Sequence, residues 1–263
     1  MVIGLVCALA FSRCSIHCQS HIHLFEGIYS PEDAADREHI DWFHVHGRES
    51  GTHDVRVWNL RDSYQARYFK VDDTSSYILE GVSNVATVTA DQPLQCHLSL
   101  TDRSPSEMQI RWVSSLVDGA AVKMGRSSGR YTSTFSASHY SYDTSNFCGG
   151  SASIVSPTQF RDPGVIYTAI LKGLEPDTTY FYVIGHDGFW SEEHSFTTSS
   201  ADNTKPFQFV MYGDQGTYTN AFPVIKNIEA ILDEIDLVLH IGDLSYAWGN
   251  GHMLRLYMFF HAL

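Results

Sequence analysis

The chain has no apolar run long enough to cross a bilayer. Its most hydrophobic stretch, Met1–Ala10, is only about half the ~20 residues that a spanning helix needs. Cysteine is scarce, with five in 263 residues. Cys7, Cys14 and Cys18 lie in or beside that first stretch, which leaves Cys96 and Cys148. Two cysteines do not make a disulfide framework; they could pair, stay as two buried thiols, or bond elsewhere. No Asn-x-Ser/Thr acceptor occurs, and Asn146-Phe147-Cys148 is only the rare variant. Basic residues are few. Seventeen Lys and Arg face 30 Asp and Glu, a formal charge of −13, which argues against nucleic acid as a partner. The deficit does not exclude a phosphate substrate, because a bound metal pair dominates the field around itself.

What is present is globular: 43% hydrophobic and 18% charged residues. The length allows one to three domains. Met1–Ala10 is almost wholly apolar and uncharged, so it reads as a secretory signal with cleavage within Ala10–Ser20, and the chain as secreted and extracellular.

The chemistry concentrates in Phe207–Tyr246. Phe207–Tyr212 is a short apolar run followed by Gly213-Asp214; Asp236–Ile241 is a second, followed by Gly242-Asp243. Between them Phe222, Val224, Ile225, Ile228, Ile231 and Leu232 recur close to a helical period. Strand, helix and strand within ~30 residues predict a βαβ unit with parallel strands. Parallel strands bring both aspartates to one sheet edge, where open α/β sheets place their sites. Two carboxylates held together repel unless a cation joins them. Tyr246, three residues past Asp243, could join as a phenolate, which forms near neutral pH only beside a strong Lewis acid. Hard oxygen donors suit iron(III), manganese or magnesium. Gly213-Asp214-Gln215-Gly216 is not a dinucleotide fingerprint, and Asp214 would repel a pyrophosphate.

Gly213-Asp214-Gln215-Gly216 and Gly242-Asp243-Leu244-Ser245-Tyr246 resemble the first two metal-ligand motifs of the purple acid phosphatases, which are dinuclear metallophosphoesterases. The resemblance implies hydrolysis of phosphomonoesters at acidic pH by iron(III) with a divalent metal (Fe, Zn or Mn). It makes Asp214 an iron(III) ligand, Asp243 the carboxylate bridging both metals, and Tyr246 the coloured iron phenolate. A homodimer is within its range, and no other catalytic residue is assigned. The family's later motifs, which carry an asparagine and histidines, do not follow before Leu263; Gly249-Asn250-Gly251-His252 is split by an extra glycine. The chain therefore reads as truncated after the second motif, which puts its own activity in doubt. The rival reading is a non-catalytic secreted protein whose folded part is the sandwich described next.

Taken in order, residues 1–20 read as the signal and 21–94 as an N-terminal β region, with strands expected at Asp54–Leu60, Tyr64–Val71 and Val85–Thr89. Asn59-Leu60-Arg61-Asp62-Ser63-Tyr64 resembles the extra β region of larger purple acid phosphatases. His21-x-His23 and His44-x-His46 read as surface histidines, since neither follows a clear strand or neighbours a carboxylate pair. Residues 95–199 read as a β-sandwich, from runs at Cys96–Leu100, Met108–Val113, Ala121–Gly125, Val165–Leu171, Thr179–Ile184 and His194–Thr198. Leu174-x-Pro176-x-Thr178-x-Tyr180 resembles a fibronectin type III tyrosine corner, with Trp112 as the core tryptophan. Phe147-Cys148-Gly149-Gly150, Arg161-Asp162-Pro163-Gly164 and Gly185-x-x-Gly188-x-Trp190-Ser191 resemble the N-terminal sandwich of the plant-type enzymes. Ser199–Pro206 is a polar linker, and 206–263 part of a calcineurin-like metallophosphoesterase domain. The expected fold class is multidomain β plus α/β: a fibronectin type III-like sandwich followed by the first βαβ unit of a metallophosphoesterase domain.

Overall fold

The computed structural model describes residues 5–7, 12–18, 24–30, 32–34, 36, 39, 41–45, 51–57, 59, 61–72, 74, 76–146, 162–202, 204–216 and 222–246. The chain forms two compact units, 1–89 with 245–263, and 90–244.

The first unit carries β1 (Leu5–Cys7), β2 (Ser12–Cys18), β3 (Leu24–Tyr29), β4 (Asp41–Val45), β5 (Gly51–Val57), β6 (Gln65–Val71) and β7 (Tyr77–Val82). One sheet runs β1-β2-β5 and another β4-β3-β6-β7, with antiparallel pairing throughout. The segment that reads as a leader and its cleavage window thus contributes two strands, and Arg13 stands opposite Arg56 on β5. Val85–Thr89 does not form the expected strand; only Ala86 bridges to Tyr64. The strand lies earlier, at Tyr77–Val82, where Tyr, Ile, Leu and Val supply the β-favouring side chains.

β3 and β6 are buried in continuous runs, with Ile28 and Tyr29 on one and Ala66, Tyr68 and Phe69 on the other. Arg67 is buried with them and fully engaged. It pairs with Oδ1 of Asp36 at 2.7 Å, donates to the Glu32 carbonyl at 2.6 Å, and lies 4.2 Å from the Tyr29 ring centroid. A buried guanidinium needs such partners to offset its desolvation. Glu26 is 1% exposed, and burial pushes its carboxyl up to about 7.

The second unit begins with the sandwich: β8 (Leu94–Leu100), β9 (Glu107–Ser114), β10 (Ala121–Gly125), β11 (Ser133–Ser136), β12 (Ser138–Tyr140), β13 (Val165–Lys172), β14 (Thr179–His186), β15 (Phe189–Trp190) and β16 (His194–Thr197). One sheet has the order β12-β13-β9-β8 and the other β11-β10-β14, with β15 and β16 both on β14. Alternate positions of the long strands face the core. Met108, Ile110 and Trp112 of β9 enter the core with Tyr167, Ala169 and Leu171 of β13. Val122 and Met124 of β10 meet them with Tyr180, Tyr182 and Ile184 of β14. Trp112 is 1% exposed and stacks on Tyr167, with centroids 5.4 Å apart. Oη of Tyr180 accepts the Glu175 amide at 2.9 Å, closing the corner between β13 and β14. Cys96 is a free thiol whose sulfur lies 3.6 Å from Tyr182 Oη; Cys148 lies outside the described residues.

The linker after β16 is tied back to the sandwich. Asp177 accepts from Ser200 Oγ at 2.8 Å and pairs with Lys205 Nζ at 2.7 Å. Beyond it come β17 (Phe209–Tyr212), β18 (Gln215–Gly216), helix α1 (Phe222–Glu229), β19 (Leu237–His240) and β20 (Leu244–Tyr246). β17 and β19 pair in parallel, with Phe209 opposite Leu237 and Tyr212 opposite His240.

Candidate metal centre

The parallel pair is stapled at both ends. At its start, the Gln208 amide donates to Asp236 Oδ2 at 2.8 Å and the Asp236 amide to the Gln208 carbonyl at 2.8 Å. At its finish, the Ile241 amide donates to the Tyr212 carbonyl at 2.7 Å. α1 stands between the strands in sequence. Pro223 in its first turn loses nothing by lacking an N–H, and Ile225 and Ile228 give it a buried stripe. With both strand ends pinned, the residues just past them, Gly213-Asp214 and Gly242-Asp243, fall side by side.

Asp214 has φ 54°, a left-handed conformation that aspartate tolerates better than most side chains. Its Oδ1 accepts the backbone amide of Asp243 at 3.0 Å. The closeness depends on glycine. A Cβ on Gly242, at φ +120°, would collide with Asp214 Oδ1, and one on Gly213 would collide with the Ile241 carbonyl. Both aspartates are exposed, so a ligand can reach them.

Two aromatic rings back the site. Tyr212 and His240, opposite one another in the ladder, have centroids 4.6 Å apart, and His240 Nε2 donates to the Asp243 carbonyl at 3.1 Å. Burial holds the Tyr212 hydroxyl above the usual tyrosine range, and its Oη has no hydrogen-bond partner among the described residues. Sequence reasoning missed this role of His240. Its one signal was position, the third residue before Asp243 on an otherwise apolar strand.

Tyr246 ends β20, and its side chain lies outside the described residues. The same holds for the side chain of His44 and for all of His21, His23 and His46. Among the described residues, no three His, Cys, Asp or Glu side chains gather as a metal cluster. The structure therefore brings together two of the three expected donors, Asp214 and Asp243. Their chemistry fits the group in kind: hard, anionic oxygens open to solvent. In number they are a partial set. No helix among the described residues is long and apolar enough to cross a membrane.

Comparison with known proteins gives this geometry a setting. Residues 93–198 match the family described as the purple acid phosphatase N-terminal domain. An Arabidopsis thaliana protein named "Probable inactive purple acid phosphatase 9" is 28% identical over 85% of this chain and 40% of its own length. A second, "Probable inactive purple acid phosphatase 27", is 31% identical over 68% of this chain and 32% of its own. The chain thus spans well under half of these curated relatives. Among solved structures, the purple acid phosphatase from yellow lupin (Lupinus luteus) seeds superposes on 95% of this chain and 51% of its own, with a TM-score of 0.74 and 24% identity. At that identity the likeness shows the fold.

Proposed function

Because this chain is purple acid phosphatase-like and corresponds to the N-terminal part of such proteins, we propose that it belongs to a secreted acid phosphatase acting on phosphomonoesters. The observation that carries this is the pairing of Asp214 and Asp243 at one strand edge, joined by the 3.0 Å bond from the Asp243 amide. Asp214, Asp243 and Tyr246 are the donors that would hold a centre of iron(III) with a divalent ion, and Asp243 would serve both ions. Such a pair, when bound, lowers the pKa of a water and clamps phosphoryl oxygens. The residues of this chain hold and orient. Asp214 is fixed by the Asp243 amide, and Asp243 by the bond from His240 to its carbonyl. Residues 95–199 act as an accessory sandwich and 206–263 as part of the metallophosphoesterase domain. On this reading the phosphatase assembles as a homodimer, and its acidic surface takes no nucleic acid.

A second reading is favoured by a specific observation: both Arabidopsis relatives carry "inactive" in their names. On that reading the chain is a non-catalytic secreted protein built on the sandwich. Assaying p-nitrophenyl phosphate separates the two, using residues 1–263 and a polypeptide extended to the length of those relatives, each loaded with iron and zinc. Metal-dependent hydrolysis lost in Asp243→Asn supports the phosphatase. Its absence from both polypeptides, with fold intact, supports the second reading.

A further inference from the structure

Positive charge is sparse in this chain, yet it gathers around one cavity of the sandwich. The cavity has a volume of about 380 Å³ and is lined by Arg126, Arg130 and Lys172 together with Ser133, Phe135 and Tyr180. It lies where the β10–β11 turn faces the end of β13. Three of the 17 basic residues of a chain with net charge −13 stand here. Arg126 is already neutralised by Glu175 and lies over the Tyr180 ring, 5.8 Å from its centroid. Arg130 and Lys172 are not: among the described residues neither has a carboxylate at ion-pair distance. Glu107, which stands opposite Lys172 in the ladder, pairs instead with Arg103 at 3.6 Å.

The turn that presents Arg130 is built, not loose. Glu193 takes three of its donors: Ser128 Oγ at 2.5 Å to one oxygen, and the Gly129 amide and Tyr131 Oη, each at 2.7 Å, to the other. The Arg130 amide donates to the Ser127 carbonyl at 3.0 Å, and the Thr132 amide to the Met124 carbonyl at 2.8 Å. Both oxygens of Glu193 are thus occupied inside the turn. Hydrogen bonds from Ser128 first, then Gly129 and Tyr131, hold its carboxyl below the usual range. A rigid turn lowers the ordering cost of binding.

We propose that this cavity binds small phosphate monoesters, the phosphate between Arg130 and Lys172 and the organic group against Tyr180 and Phe135. Two uncompensated cations match a dianion. The guanidinium fork can hold two oxygens of a phosphate while the ammonium and the nearby hydroxyls meet the others, and the aromatic side gives the ester group an apolar contact. The volume falls at the small end of the ~300–1,000 Å³ usual for ligand sites. The site is separate from the aspartate pair, and it holds whether or not the phosphatase reading does.

The test uses metal-free residues 1–263 in chelator, so that the aspartate pair takes no part. Amide resonances are followed by NMR as phenyl phosphate is added. Saturable shifts are expected at Arg126–Ser133 and at Lys172 and Gly173. The double variant Arg130→Gln, Lys172→Gln should weaken binding at least tenfold and leave amides elsewhere in the sandwich unmoved. Inorganic phosphate should bind several-fold more weakly than the ester, for want of the aromatic contact. No saturable shift, shifts confined to residues 213–246, or an affinity unchanged in the double variant would overturn the site. Equal affinity for phosphate and phenyl phosphate would overturn the assignment of the ester group.

Discussion

The amide of Asp243 donates to Oδ1 of Asp214 across a sequence separation of 29 residues, and the glycine just before Asp243 leaves room for it. It adds to the Gln208–Asp236 and Tyr212–Ile241 bonds that join the two halves of the strand–helix–strand segment. A side chain at position 242 would occupy the place of Oδ1, and φ +120° is unfavourable for any residue but glycine.

Gly242→Ala is therefore expected to destabilise the segment by about 1–3 kcal/mol. Hydrogen exchange is the check. The Ile241 amide, bonded to the Tyr212 carbonyl at 2.7 Å, should lose protection while amides of β9 and β13 keep theirs.

Tyr180→Phe removes the acceptor of the Glu175 amide and little else, since the ring still stacks on Phe196 at 5.7 Å. Leaving a part-buried amide unsatisfied costs about 1–3 kcal/mol. Urea unfolding should show a lower midpoint with an unchanged slope. A midpoint equal to that of the parent would mean that the corner contributes nothing.

The sandwich was legible because alternate positions of its strands face the core, although β10 and β14 bury neighbouring positions as well. Met108, Ile110 and Trp112 announce their face, and the expected strands fall within two residues of those seen at each end. The shorter strands β11 and β12 were not legible: Ser133–Ser136 and Ser138–Tyr140 are short and mostly exposed, and only pairing with β10 and β13 makes them strands. In the first unit Val85–Thr89 looked more strand-like than it is. Register with β6 fell to Tyr77–Val82 instead, and a pairing partner is invisible to local propensity. The placement of Asp214 and Asp243 just past two paired strands was legible from the apolar runs before them. The hydrogen bonds of Asp214 and His240 were not, because they depend on the twist and register of a parallel pair.

β17 and β19 should open more readily than the sandwich. Parallel strands are normally covered on both faces, yet Phe209 is 52% and Met211 57% exposed, and Leu239 and Ile241 are exposed with them. Exchange of the amides of Phe209–Tyr212 and Leu237–His240 in residues 1–263 is expected to be at least tenfold faster than in β9 and β13. Equal protection in both places would show that the exposed face is stably covered in solution.

Glu26 should make the first unit less stable as pH rises. Its folded pKa, pushed up to about 7 by burial, lies above the ordinary value of 4.5. Between those values the folded state holds a proton that the unfolded state has lost, so stability falls as pH climbs from about 4.5 to 7 and levels off above. The penalty at neutral pH is about 3 kcal/mol at most. Glu26→Gln should flatten the profile across that window and raise the midpoint of urea unfolding at pH 7.5 above that of the parent. A parent profile already flat from pH 4.5 to 7 would contradict the burial argument.

Colour offers the most direct reading of the assigned donors. Iron(III) takes about six ligands, and Asp214, Asp243 and Tyr246 supply three oxygens, to which no cluster of His, Cys, Asp or Glu among the described residues adds. Residues 1–263 mixed with stoichiometric iron(III) are therefore expected to bind it weakly, show no visible charge-transfer band and leave p-nitrophenyl phosphate intact. In a polypeptide extended to the length of the Arabidopsis relatives, band and hydrolysis should appear together. There Tyr246→Phe should abolish the band, since the phenolate is its source. Asp243→Asn should cost more hydrolysis than Tyr246→Phe, because a shared carboxylate holds both ions. A band that survives Tyr246→Phe would remove that residue from the donor set, and a purple, active preparation of residues 1–263 would show that the three oxygens suffice.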